Sequence, residues 1–153
     1  MIDLVFRNST RERVLPRSFF ERIVRLGLAI AGVRGRVALS INLVGIRRMR
    51  VLNRIYRKRD KATDVLSFPL GETQQNGYTE RTLGDLFLCI PVARAAARRE
   101  HIGLPGKMAW LTVHGLLHLL GYDHERSPHQ AARMVALERK ILNYGTNAHH
   151  RRH

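Results

Sequence analysis

A chain of 153 residues with 44% apolar content can bury about 70% of the surface its unfolded form exposes, so one domain is expected to fold unaided. A single cysteine excludes an internal disulfide, and no run of eighteen apolar residues offers a membrane span. With 27 Lys and Arg against 12 Asp and Glu, the net charge of +15 gathers polyanions, and RNA, DNA and anionic membrane surfaces all satisfy it.

The N-terminal Met1-Ile-Asp-Leu-Val-Phe-Arg-Asn8 carries no leader pattern, which predicts a cytoplasmic protein. Ile2 to Phe6 reads as a short apolar strand. Pro16 to Ala31 reads as a helix opened by proline, with Phe19, Phe20, Ile23, Val24 and Ile30 inward. Val37, Leu39 and Ile41 alternate with Ala38, Ser40 and Asn42, the period of a strand. Ile46 to Tyr56 predicts a basic amphipathic helix, with Ile46, Met49, Leu52, Ile55 and Tyr56 able to face the core. Around it, residues 47–61 hold Arg47, Arg48, Arg50, Arg54, Arg57, Lys58, Arg59 and Lys61 against one acid, Asp60. Such a run is either a solvated face or a line of phosphate contacts, and direct contact by some of these side chains is the expectation.

Asp64 to Phe68, stopped by Pro69, is a buried strand candidate and Leu83 to Ile90 another, with Gly71 to Thr82 between them expected as a polar, mobile loop. Pro91 opens an alanine-rich helix that Gly103 is expected to end. Met108 to Leu120 is apolar nearly all round and predicts a buried helix. Ser127 and Pro128 look like the N-cap and first residue of a last helix running to Gly145, with Met134, Leu137, Ile141 and Tyr144 inward. Residues 146–153 lack apolar content and are expected to be a disordered tail, so His149, His150 and His153 are not counted as ligands. Interleaved strands and helices without repeat or linker predict a single α+β domain over residues 1–145.

The stretch His114-Gly-Leu-Leu-His-Leu-Leu-Gly-Tyr-Asp-His124 carries the chemistry. His114 and His118 are four apart, one helical turn on the same face. Gly121 suits the left-handed residue that closes a helix and lets the chain bring His124 back. Three imidazoles converging on a point fit one zinc ion with a fourth position left open. Gly115 either lets something approach the backbone or makes room for packing. The spacing is that of the metzincin proteases, H-E-x-x-H-x-x-G-x-x-H, but glycine stands where their general base would be.

The same string resembles the YbeY family of bacterial endoribonucleases, which act in rRNA maturation. Leu52-Asn-Arg-Ile-Tyr-Arg-Lys-Arg-Asp-Lys-Ala-Thr-Asp-Val-Leu-Ser-Phe-Pro69 is similar to that family's L-N-x-x-Y-R-x-x-D-x-P-T-D-V-L-S-F-P block, with Ala62 where proline is usual. Leu83-Gly-Asp-Leu and the helix Met134 to Leu142 also match. The resemblance implies a central metal-bearing helix over a four-stranded mixed sheet with about five helices, and His114, His118 and His124 as ligands of one zinc. It also implies Arg57 in catalysis or RNA contact, single-stranded rRNA as substrate, and the ribosome or its small subunit as partner. A zinc ion polarises a phosphoryl oxygen or lowers the pKa of bound water to about 7, and Arg57 suits developing phosphate charge. Asp123, Glu125 and Asp85 are candidate general bases, and an RNA 2′-hydroxyl is an alternative nucleophile to water. A zinc protease and a ribosome-associated RNA-binding protein with a structural metal are the two other readings.

Overall fold

The computed structural model describes residues 1–70, 73–75, 78–123 and 125–150. Strand β1 (Ile2–Asn8) and helix α1 (Arg17–Ile30) are followed by β2 (Arg36–Val44), α2 (Ile46–Arg57), β3 (Val65–Pro69), β4 (Thr73–Gln75) and β5 (Tyr78–Cys89). Helices α3 (Ile90–Arg99), α4 (Leu104–Leu119) and α5 (Pro128–His150) complete the chain. The sheet runs β1-β2-β5-β3, with β1, β2 and β5 parallel, β3 antiparallel to β5, and β4 paired with the start of β5. Among the described residues, the α+β class, the five helices and the mixed sheet, whose four-stranded path β1-β2-β5-β3 is extended by the short β4, agree with the sequence reading.

Helix α4 lies across one face of the sheet, and its residues Met108, Leu111, Leu116 and Leu119 join Leu39, Ile41, Leu86 and Leu88 in the main core. Gly27 of α1 meets α4 closely: a Cβ there would stand 2.7 Å from Leu116 Cδ2. On the other side of α4, Val113 and Leu117 pack with Met134 and Ile141 of α5. The opposite sheet face is partly covered by α2 through Met49 and Leu52. Ser40 and Asn42, which alternate with the apolar residues of β2, are buried as well, and Asn42 Nδ2 donates to Ser40 Oγ at 2.9 Å and to the Leu86 carbonyl at 3.1 Å. Among the described residues no helix is long and apolar enough to cross a membrane.

Several expectations change. Ile46, Ile55 and Tyr56 are exposed rather than inward. At 100° per residue Ile55 lies far from the Met49, Leu52, Asn53 stripe, while Ile46 and Tyr56 are on it but at the two ends of a short helix, where Tyr56 still meets Phe68 of β3 edge-on with ring centroids 5.0 Å apart. Tyr144 is exposed because the buried stripe of α5 passes Met134, Glu138 and Ile141, and its next position is Gly145, near Leu26. Of the polar loop expected over 71–82, Thr73–Gln75 form β4 and Tyr78 onward begins β5, paired Gln75↔Tyr78, while residues 71, 72, 76 and 77 lie outside the described residues. Helix α3 ends before Gly103: His101, at φ 56°, turns the chain, and Ile102 N–H reaches the Ala97 carbonyl at 3.0 Å, while Gly103 caps the start of α4. Helix α5 runs through Gly145 to His150, so the tail expected from residue 146 is helical over five of its eight positions. One glycine costs a helix about 1 kcal/mol, which is not by itself a stop.

Candidate active site

The end of α4 is built by Gly121. At φ 97° it takes the left-handed conformation, its N–H bonding the His118 carbonyl at 3.0 Å and the Tyr122 N–H bonding the Leu117 carbonyl at 3.0 Å. These two bonds close the last turn of the helix and reverse the chain. The helix presents His114 and His118 on one face, as their spacing predicts, with the two Nε2 atoms 3.2 Å apart. His124, the third predicted ligand, lies outside the described residues.

His114 is held from two further sides. Its Nδ1 stands 2.6 Å from Glu138 Oε1 on α5, and Trp110 stacks on its ring with centroids 4.8 Å apart and planes inclined by 17°. Lys107 places its ammonium 4.8 Å from the Trp110 ring centre and pairs with Glu100 at 2.9 Å. A proton on Nδ1, donated to the carboxylate, leaves His114 Nε2 with a lone pair. Two nitrogens bound tetrahedrally to zinc at about 2.0–2.1 Å stand about 3.3 Å apart, so the 3.2 Å pair fits a shared zinc. In the metal-free chain the same separation suits a hydrogen bond from His118 Nε2–H to His114 Nε2. Sequence reasoning missed Glu138. The available signal was an acid at the i+4 position between Met134 and Ile141, on a stripe otherwise apolar.

His114 and His118 open on a cleft of about 800 Å³ whose other walls include Arg57, Arg59, Lys61, Asp123, Glu125 and Arg126. Arg57 is the last residue of α2. Lys58 follows at φ 58°, its N–H on the Asn53 carbonyl, and this left-handed turn sends Arg59 and Lys61 back along the cleft. Buried Asn53 secures the turn by donating to the Lys61 carbonyl at 2.8 Å. The Arg57 guanidinium donates one bond to the Ser67 carbonyl of β3, 3.2 Å away, while the side chain stays exposed to the cleft. Arg50 is otherwise engaged: its fork grips Asp60 at 2.8 and 3.0 Å, and those hydrogen bonds hold the Asp60 carboxyl below the usual carboxylate range.

The three candidate bases separate. Asp85 is not in the cleft: its neighbour Leu86 faces α4, so Asp85 points to the opposite sheet face, where it accepts the Ser40 hydroxyl. Asp123 takes the Glu125 N–H at 2.8 Å and faces Arg126 at 3.7 Å, holding the turn after α4; the carboxylate that reaches His114 is Glu138. Glu125 lines the cleft, and its carboxylate has no hydrogen bond among the described residues. Gly115 is explained by packing, since a Cβ there would stand 2.5 Å from Leu86 Cδ2 on β5.

A family model described as endoribonuclease YbeY matches residues 7–145 of this chain. Among curated relatives, endoribonuclease YbeY of Aquifex aeolicus is 37% identical over 133 residues, 87% of this chain and 86% of that protein. The one from Alkalilimnicola ehrlichii is 43% identical over 129 residues, 83% of this chain and 76% of that protein. The relative from Myxococcus xanthus is 49% identical over 106 residues, 69% of this chain, and the match spans 36% of that longer protein. The solution structure of TM1509 from Thermotoga maritima superposes with a TM-score of 0.63 at 23% identity, covering 94% of this chain and 93% of that one, which establishes a shared fold.

Proposed function

The chain belongs to the YbeY endoribonuclease family, and from that premise we propose that it is a zinc-dependent endoribonuclease that cuts single-stranded RNA in rRNA maturation, acting in the cytoplasm on ribosomal small-subunit RNA. The observation that carries the reading is the cleft itself, which joins the His114–His118 pair to Arg57 and two further cations on one wall. Zinc, held by His114, His118 and His124, would supply Lewis acidity to a phosphodiester oxygen.

The remaining work falls to the chain's own groups. Arg59 and Lys61 hold the RNA backbone along the cleft wall, and their charge accounts for affinity without sequence preference. Arg57, steadied through Ser67, keeps its other N–H groups for the reacting phosphate, where a planar fork holds two oxygens and stays protonated at any working pH. Glu125 is the cleft carboxylate not tied into the turn and is the proton acceptor in this reading. A flexible strand can turn its phosphate into the recess, whereas A-form duplex holds its backbone fixed. The protease reading loses further ground, because position 115 packs on Leu86 and an acid there would be buried in the core instead of meeting water.

The test runs RNA and casein digestions side by side with wild type, Arg57→Ala and chelator-treated protein, with elemental analysis of wild type and His118→Ala. Wild type should carry one zinc and cut RNA, His118→Ala should lose the metal, and Arg57→Ala should keep it while cutting about 10²–10³-fold more slowly. Chelator-sensitive casein cleavage with intact RNA would establish the protease instead. RNA cleavage undiminished in Arg57→Ala would remove that side chain from the mechanism.

A further inference from the structure

Glu138 is a carboxylate in an apolar place. It is 7% exposed, sits between Met134 and Ile141, each 1% exposed, and belongs to the face of α5 that packs on Val113 and Leu117 of α4. A leucine would suit that stripe better if packing were its whole purpose, since a buried carboxylate is costly without a partner. Its partner is the His114 Nδ1 atom at 2.6 Å. A carboxylate there selects the Nδ1–H tautomer and leaves the Nε2 lone pair facing His118, while Trp110 stacked across the ring opposes rotation about the Cβ–Cγ bond.

We propose that Glu138 is the positioning residue of the metal centre: from α5 it fixes the tautomer and orientation of His114, so the centre is assembled by two helices and not by the α4 motif alone. The inference rests on the reading of His114 as a metal ligand. It departs from the sequence motif, which ends at residue 124 and holds no part of α5. Carboxylates bonded to the outer nitrogen of a ligand histidine raise its basicity and hold its direction, and their loss typically costs about 10–100-fold in metal affinity.

Trp110 provides the readout, because it is the single tryptophan of the chain and stacks on His114. Its emission is followed while chelator-buffered zinc is added to wild type, Glu138→Leu and Glu138→Gln. Nitrogen-15 ring spectra of the metal-free proteins report which His114 nitrogen bears the proton. Wild type should show a saturable change and the Nδ1–H form. Glu138→Leu should bind zinc about 10–100-fold more weakly and lose the tautomer preference, while its melting temperature in the absence of metal holds or rises. Glu138→Gln, whose neutral carbonyl accepts the same hydrogen bond more weakly, should lose a smaller factor and carries the test if the leucine variant does not fold. Zinc binding within twofold of wild type in both variants, with the tautomer unchanged, would overturn the role of Glu138 while leaving the ligand reading standing. No zinc uptake by wild type would instead overturn the ligand reading, and the inference with it.

Discussion

Gly115 stands beside the proposed ligand His114, yet its smallness belongs to the fold. Its Cα faces β5, where Leu86 is fully buried and three of that side chain's carbons lie within 3.5 Å of an added Cβ. Gly115→Ala therefore sets an overpacking cost of about 1–3 kcal/mol against about 1 kcal/mol of recovered helix propensity. The expected result is a net loss of about 1 kcal/mol in urea denaturation, reversed when Leu86→Val is added. A stabilised single variant would show that Leu86 moves aside freely. Glu138 illustrates the opposite limit of legibility: its place on an apolar stripe was visible in the sequence, but that His114 meets it was not, because the two are 24 residues apart on different helices.

Among the helices, termination decides the geometry more than propensity does. Helices α2, α3 and α4 each end where a residue takes positive φ, at Lys58, His101 and Gly121, and glycine occupies only the last of these. The sequence signal was therefore strong at Gly121 and weak at the other two. Glycines at two positions of the α4 region should respond to alanine with opposite signs. At Gly106, inside the first turn with nothing within 4 Å of an added Cβ, Gly106→Ala should stabilise by about 0.5–1 kcal/mol. At Gly121, with φ 97°, Gly121→Ala should destabilise by about 1 kcal/mol. Urea midpoints at constant m-value measure both, and equal signs would contradict the assigned backbone at Gly121.

At the scale of the molecule, the eight cations of residues 47–61 are all exposed, and α2 spreads them from the Arg47–Arg48 end to the cleft at Arg57, Arg59 and Lys61. With Arg50 engaged by Asp60, Arg48 and Arg54, along with Arg47, are exposed helix side chains able to meet an RNA strand leaving the cleft, and Arg48 and Arg54 are the pair to replace. Replacing both with alanine should lower the slope of log affinity against log salt by roughly 0.7 for each phosphate of single-stranded RNA that they neutralise. An unchanged slope would show that these arginines are only solvated.

Periodicity and spacing determined the strands β1 and β2, the buried helix α4, the Ser127 N-cap of α5, which takes the Gln130 N–H at 3.1 Å, and the pairing of His114 with His118. These are local properties: a residue's neighbours at two, three or four positions fix which face it shares. The tertiary structure alone decided which apolar residues find cover, and so Ile46, Ile55, Tyr56 and Tyr144 lie exposed while Ser40, Asn42 and Glu138 are buried. It alone brought Arg57 to the histidines and sent Asp85 to the far face of the sheet. The physical reason is that burial and site assembly depend on which surfaces α2, α4 and α5 lay against the sheet and one another, and those surfaces join segments too far apart in sequence for any local period to encode.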